Sequence, residues 1–239
     1  MKITITTTNY KEGKFLETDK QVQGTKVGPM QVVNLYPDIT YQQIRGFGGA
    51  FTESAGYTIL KLSKEKQKEI AEAYFGEGGI GYTLGRMHIN SCDFSLGNYA
   101  YVEDPQDKNL DTFTREREQL YIVPFIRLAQ QVSKEKIEFL ASPWSPPAFM
   151  KTNEEMNHGG KLKEEYRQLW AEYICKYIKD CREDGIPVNM ITVQNEPEAI
   201  QEWDSCCYSA AEEMEFVRDY LGPIMKEQGF GDVKIYIWD

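Results

Sequence analysis

Asn195, Glu196 and Pro197 close an apolar run, Met190 to Val193, and set an amide and a carboxylate side by side. Together such groups can move a proton and hold a hydroxyl in one place. A short apolar run bounded by polar residues fits a strand covered on both faces, as in parallel sheets enclosed by helices. Pro197 cannot donate to a sheet ladder and favours an extended Glu196, so the strand is expected to stop with the carboxylate at its lip. Other polar and aromatic residues recur at the ends of apolar runs. They are Asn90, Asp93 and Phe94 in "HINSCDFS", Trp144 in "SPWSPP", Trp203 in the loop "EWDSCC", and Trp238 with Asp239 after "VKIYI". Indole faces that stack on C–H groups, beside carboxylates and amides that bind hydroxyls, suit a sugar.

Each of these residues also has an ordinary reading. Asn-Glu-Pro fits a turn, Trp144 a core position and Asp93 a cap. His88, inside an apolar strand, reads as a satisfied buried histidine. Arg86 lies two residues earlier on the same face, and an arginine inside a barrel calls for an acidic partner. Glu53 fits the first turn of a helix, where negative charge is favoured.

The elements that would position these groups follow from the hydrophobic pattern. Residues 1 to 40 alternate polar and β-branched residues, as in "KITITTT" and "MQVVNLYP", and suggest strands flanking the main domain. From about residue 41 short apolar runs alternate with long amphipathic segments, the pattern of strand–helix units around a parallel sheet. Strands are expected at 44–51, 82–90, 137–144, 189–196 and 233–239. One helix is expected from Glu164 to Arg182, with Tyr166, Trp170, Tyr173, Ile174, Tyr177, Ile178 and Cys181 on one face and Gly185 as the stop. Another starts at Ser209, capped reciprocally by Glu212, carries Met214, Val217, Leu221, Ile224 and Met225 inward and is kinked at Pro223. Strands about every 50 residues, each followed by a long loop, fit a (β/α)8 TIM barrel, and "GFGGAF" lacks the GxGxxG of a dinucleotide site. Only five strands are counted, so the barrel is expected to be incomplete. Its open edge should promote self-association.

The 239 residues are 41% hydrophobic and 13% aromatic, enough for one large core. A net charge of −10 argues against nucleic acid and anionic membrane surfaces as partners. No apolar stretch reaches membrane-spanning length and the N-terminus has no apolar leader, so a cytoplasmic protein is expected. Five cysteines without CxxC spacing argue against zinc and a disulfide framework, and Cys206 with Cys207 reads as two reduced thiols. No metal or cofactor is expected.

Taken in order and spacing, "GFGGAFTESAGY", "SCDFS", "ASPWSPPAFMKTN" and "VQNEPEA" resemble glycoside hydrolase family 30, the group of glucosylceramidases and β-1,6-glucanases. The resemblance covers about residues 40 to 239. It implies a (β/α)8 barrel with a side β-domain built partly from residues 1–40, and retaining hydrolysis of β-glucosidic bonds in a β-glucoside or β-glucan. It implies that Glu196 is the general acid/base and that Asn195 holds the substrate near its 2-hydroxyl. Asp93 and Trp144 would bind the terminal sugar, Arg86 would support the carboxylates and Trp203 would line the cleft.

A retaining enzyme needs a second carboxylate about 5 Å from the acid, and mutual repulsion and burial then keep the acid protonated. In the family this nucleophile ends the seventh strand, and no residue here matches it. Glu53, Glu198 and Glu202 do not stand at an expected strand end. Two readings therefore stand: a β-glycosidase whose chain is truncated before the nucleophile, or a non-catalytic carbohydrate-binding or assembly subunit that needs a second chain to complete the barrel.

Overall fold

The computed structural model describes residues 5–19 and 34–237. The chain divides into two units, Met1–Ile44 and Arg45–Asp239. In the first, β1 (Ile5–Asn9) pairs antiparallel with β2 (Lys14–Asp19). The Asn9 side chain caps the turn between them by accepting the Lys11 amide at 3.1 Å, and Gly13 closes it at φ +65°. The strand expected in "MQVVNLYP" begins outside the described residues.

The second unit carries the five expected parallel strands in chain order. They are β3 (Gly48–Ala50), β4 (Leu84–Ile89), β5 (Glu138–Pro143), β6 (Val188–Thr192) and β7 (Lys234–Tyr236). Between β3 and β4 run α1 (Glu53–Leu60) and α2 (Lys64–Phe75), followed by α3 (Glu116–Val132) before β5 and α4 (Arg167–Glu183) before β6. Two short helices, α5 (Ala210–Phe216) and α6 (Gly222–Glu227), lead into β7. Among the described residues β3 pairs only with β4 and β7 only with β6, so the sheet is an open part of a TIM barrel. No helix among the described residues is long and apolar enough to cross a membrane.

Period-2 alternation sorts the strand residues onto two faces. Met87, Phe139 and Ala141 are buried toward the helices, while Leu84, Arg86, Glu138 and Leu140 are half-buried on the other face. Phe51 packs against Phe75, Phe125 and Phe139 with ring centroids 4.8 to 5.5 Å apart. Gly85 has to be glycine here, because a Cβ would come within 2.7 Å of both the Phe51 and Phe139 rings. On the other face Arg45 makes a two-pronged ion pair with Glu138.

Helix α4 buries Trp170, Tyr173, Ile174, Tyr177, Ile178 and Cys181 as the periodicity predicts, while Tyr166 falls in the preceding 3-10 turn, Glu164–Tyr166, and is only half-buried. It ends in a Schellman motif: Ile186 N donates to Cys181 O (2.9 Å), Gly185 N donates to Arg182 O (3.0 Å), and Gly185 takes φ +76°. The reciprocal cap of Ser209 and Glu212 is formed. Pro223 has its effect one turn earlier than a simple kink: Val217–Leu221 is π-helical, and Gly222 N reaches back to Val217 O. Met214, expected inward, is 55% exposed, and Phe216 takes the buried position instead. The inward face is phased by Phe216, Leu221 and Met225 across the wider π turn.

Candidate active site

The carboxyl ends of β4, β5 and β6 converge on a cavity of about 240 Å3, walled by Ala50, Thr52, Arg86, Asp93, Trp144 and Glu196 among others. Asn195 also lines it. Five of the six residues to which the resemblance gives a role are thus brought together. Trp203 is not among the lining residues and is 41% exposed in the loop after β6. Trp238 and Asp239 lie outside the described residues.

Strand β6 ends at Thr192, but its pairing continues: Val193 N donates to Tyr236 O (3.1 Å) and Asn195 N to Pro143 O (2.8 Å). Glu196 then turns sharply, with φ +45°, and is not extended as Pro197 alone would favour. The loop imposes the turn, since Ala199 N bonds back to Glu196 O and Tyr208 N to Pro197 O, both at 2.9 Å. A non-glycine residue held there costs about 1 kcal/mol, and strain of this kind gathers at functional sites. The Glu196 carboxylate is exposed, with Gln201 Nε2 3.5 Å from Oε2.

Arg86 fixes its neighbours. Its Nη2 donates to Asn195 Oδ1 at 2.8 Å and its Nε to Ser142 Oγ at 3.2 Å. An arginine can only donate, so the Asn195 oxygen faces it and the amide NH2 is the end offered to a ligand. The Arg86 guanidinium also stands 4.6 Å over the Trp144 ring. That face of Trp144 is therefore closed to a stacking sugar, and exposed Phe94 presents the more open aromatic surface beside the cavity. Gln194, fully buried, donates to Trp144 O (2.7 Å) and Asn195 O (2.9 Å) and ties β5 to β6 under the site.

Asp93 lies in a turn closed by Ser95 N on Cys92 O and by Ser95 Oγ accepting the Cys92 amide. Burial first, then the Glu196 and Asp204 carboxylates, raise its pKa above the ordinary aspartate value. Asn90, expected at the rim, is instead fully buried at φ +61°. It donates to Ser145 O (3.0 Å) and accepts from Tyr101 N (3.3 Å) and the Tyr173 hydroxyl, which anchors the loop after β4 onto α4.

His88 is a satisfied buried histidine: Nδ1 lies 2.5 Å from Asn90 O and Nε2 accepts the Glu53 amide at 3.3 Å. Glu53 does open α1, behind the Thr52 cap. Burial raises its pKa, but Arg117, with contacts of 2.6 and 3.0 Å, and the Leu96 amide outweigh this and hold it below the usual value. Asp93 and Glu196 are the carboxylates among the cavity's lining residues. Sequence reasoning missed Ser142 and Gln194; the period-2 spacing of Ser142 from Trp144 was the available signal for the first.

This arrangement belongs to a known class. Residues 44–239 match the model of the glycosyl hydrolase family 30 TIM-barrel domain, and the chain belongs to that family. It is 32% identical over 227 residues to the lysosomal acid glucosylceramidase of Mus musculus, covering 91% of this chain and 44% of the relative. It is 28% identical over 209 residues to an endo-1,6-β-D-glucanase of Neurospora crassa, covering 83% of this chain and 42% of the relative. The crystal structure of SrfJ from Salmonella typhimurium superposes with a TM-score of 0.92 at 40% identity, over 100% of this chain and 54% of that one. The chain thus spans less than half the length of these two curated relatives.

Proposed function

We propose that this chain carries the acid/base and sugar-binding part of a retaining β-glycosidase acting on β-glucosides or β-glucans, with the nucleophile supplied from outside these 239 residues. One observation carries the reading: Arg86, Asp93, Trp144, Asn195 and Glu196, from three strand ends, line a single cavity. In this reading Glu196 protonates the leaving glycosidic oxygen, then deprotonates the water that releases the sugar. Asn195, its oxygen held by Arg86, donates from Nδ2 to a sugar hydroxyl, and Asp93 accepts from others. A glucosylceramidase-like or β-1,6-glucanase specificity is supported by the relatives. A cytoplasmic location is supported by the five free thiols; recovery of the protein in an exported fraction of its native cells would refute it.

The test is binding and turnover by the purified chain. Saturable binding of 1-deoxynojirimycin, weakened in Asp93→Asn, without turnover of 4-nitrophenyl β-D-glucoside, is the expected result. Absence of binding by a folded chain would sink the proposal. Once the barrel is completed with the remaining strands, Glu196→Gln should lower kcat/KM on an alkyl glucoside by about 10^3-fold and on an aryl glucoside with a good leaving group much less. Equal losses would remove Glu196 from the acid role.

The second reading, a non-catalytic sugar-binding or assembly subunit, is favoured by the two sheet edges that have no partner strand among the described residues. It predicts binding that persists while adding the remaining strands restores no turnover.

A further inference from the structure

We infer that Lys151 is a positioning residue for Glu196, its buried ammonium clasping the loop after β5 to the loop after β6. Lys151 is 0% exposed, which is rare for a lysine. Its Nζ donates to Met156 O (2.9 Å) in the first loop and to Ser205 O (2.6 Å) in the second. The two loops are zipped around it: Ser205 N bonds Met156 O (3.0 Å), Cys207 N bonds Gly160 O (2.7 Å), and His158 N bonds Gln201 O (2.8 Å). Gln201 in turn faces the Glu196 carboxylate. Asp204 extends the clasp to the loop that bears Asp93, since it accepts Ser91 Oγ (2.5 Å) and Asn98 Nδ2 (3.0 Å).

The charge is kept against its own interest. Burial pushes the Lys151 amine down to about 8, opposed by Cys206, Asp204, Cys207 and Glu155, the groups that face it. A folded-state amine below its unfolded value makes stability rise as pH climbs from about 8 toward the free-amine value, so at neutral pH the cation costs stability. An apolar residue of similar volume would avoid that cost but would leave the Ser205 carbonyl without the donor that Nζ supplies. The carbonyls it binds lie on both loops, and in the second the Ser205 hydroxyl accepts the amide of Gln201 (3.2 Å), the residue that faces Glu196.

The inference rests on the glycosidase reading only for its ligand measurement. In the 239-residue chain, Lys151→Met is expected to lower hydrogen-exchange protection of the His158, Ser205 and Cys207 amides about tenfold while α4 keeps its protection. At one fixed pH the 13Cδ chemical shift of Glu196 should move, reporting a changed setting of the side chain, and 1-deoxynojirimycin should bind about fivefold more weakly. An unchanged Glu196 13Cδ shift overturns the inference even where the loops loosen, because Lys151 would then staple loops and position nothing. If the wild type fails to bind the sugar analogue, the glycosidase reading falls, while the Glu196 13Cδ shift still decides this one. Should the methionine variant not fold, Lys151→Gln is read in the same way. In the wild type, Nζ protons that exchange as fast as those of surface lysines overturn the clasp outright.

Discussion

Asp93 occupies a position where its charge is disfavoured twice, by burial and by the neighbouring Glu196 and Asp204 carboxylates. An acid whose folded pKa lies above its unfolded value contributes stability that is present below the unfolded value and lost as pH rises through the folded one. Asp93→Asn should therefore stabilise the chain by about 0.5 kcal/mol at pH 7, a figure kept small because the side chain, though partly desolvated, remains open to solvent, and by nothing below about pH 3. Paired denaturant melts at the two pH values check it; equal stability at pH 7 would mean the carboxylate is not under strain. The site was legible in the sequence where residues carry chemistry of their own, as Asp93, Trp144, Asn195 and Glu196 do at strand ends. Arg86 apart, it was not legible where residues act on other residues. Gln194 sits inside the motif that was read, yet only the fold shows that its amide ties the Trp144 and Asn195 carbonyls together. The backbone of Glu196 was misjudged because a local preference of the residue before proline was overruled by loop bonds from Ala199 and Tyr208.

At the level of elements, two short segments carry more than their length. Gly185→Ala would force a side chain into φ +76° at the end of α4 and should cost about 1 kcal/mol, although nothing crowds the added methyl. A smaller loss would show that the Schellman turn relaxes. Ser209→Ala removes the reciprocal cap of α5 and should cost about 1 kcal/mol in urea melts. Its partner Glu212 is held down to about 2, first by the Lys161 ammonium at 2.6 Å and then by the Ser209 groups, against burial. A depressed carboxyl of this kind gives stability above pH 4.5 that drains away as pH falls toward 2. The Ser209 variant should flatten that part of the pH profile, and an unaltered acid limb would separate the cap from the ion pair. Five strands and two helices were legible because strong periodicity and capping residues agree with their tertiary setting. Met214 was misplaced because the π turn before Pro223 shifts the helical phase, and no residue pattern announces that.

The molecule as a whole presents two sheet edges, β3 and β7, each with one free side among the described residues. Exposed Leu62, Phe94, Ile80 and Ile237 add apolar surface to the same unit. We propose that the isolated chain self-associates; sedimentation at micromolar concentration should show dimers or larger species, and a monomer at about 100 μM would refute it. Adding a polypeptide with the remaining strands should dissolve these species if the edges are what holds them. The strand order has a further consequence. Each strand of the sheet after β3 pairs with the one that precedes it in the chain, so a nascent polypeptide leaving the ribosome can lay down β4, β5, β6 and β7 one after another on β3, each on a template already in place. At every such stage the newest strand is an adhesive margin awaiting the next. Synthesis rate, and a chaperone able to shield a single margin, thus become determinants of how much of this protein a cell obtains in usable form.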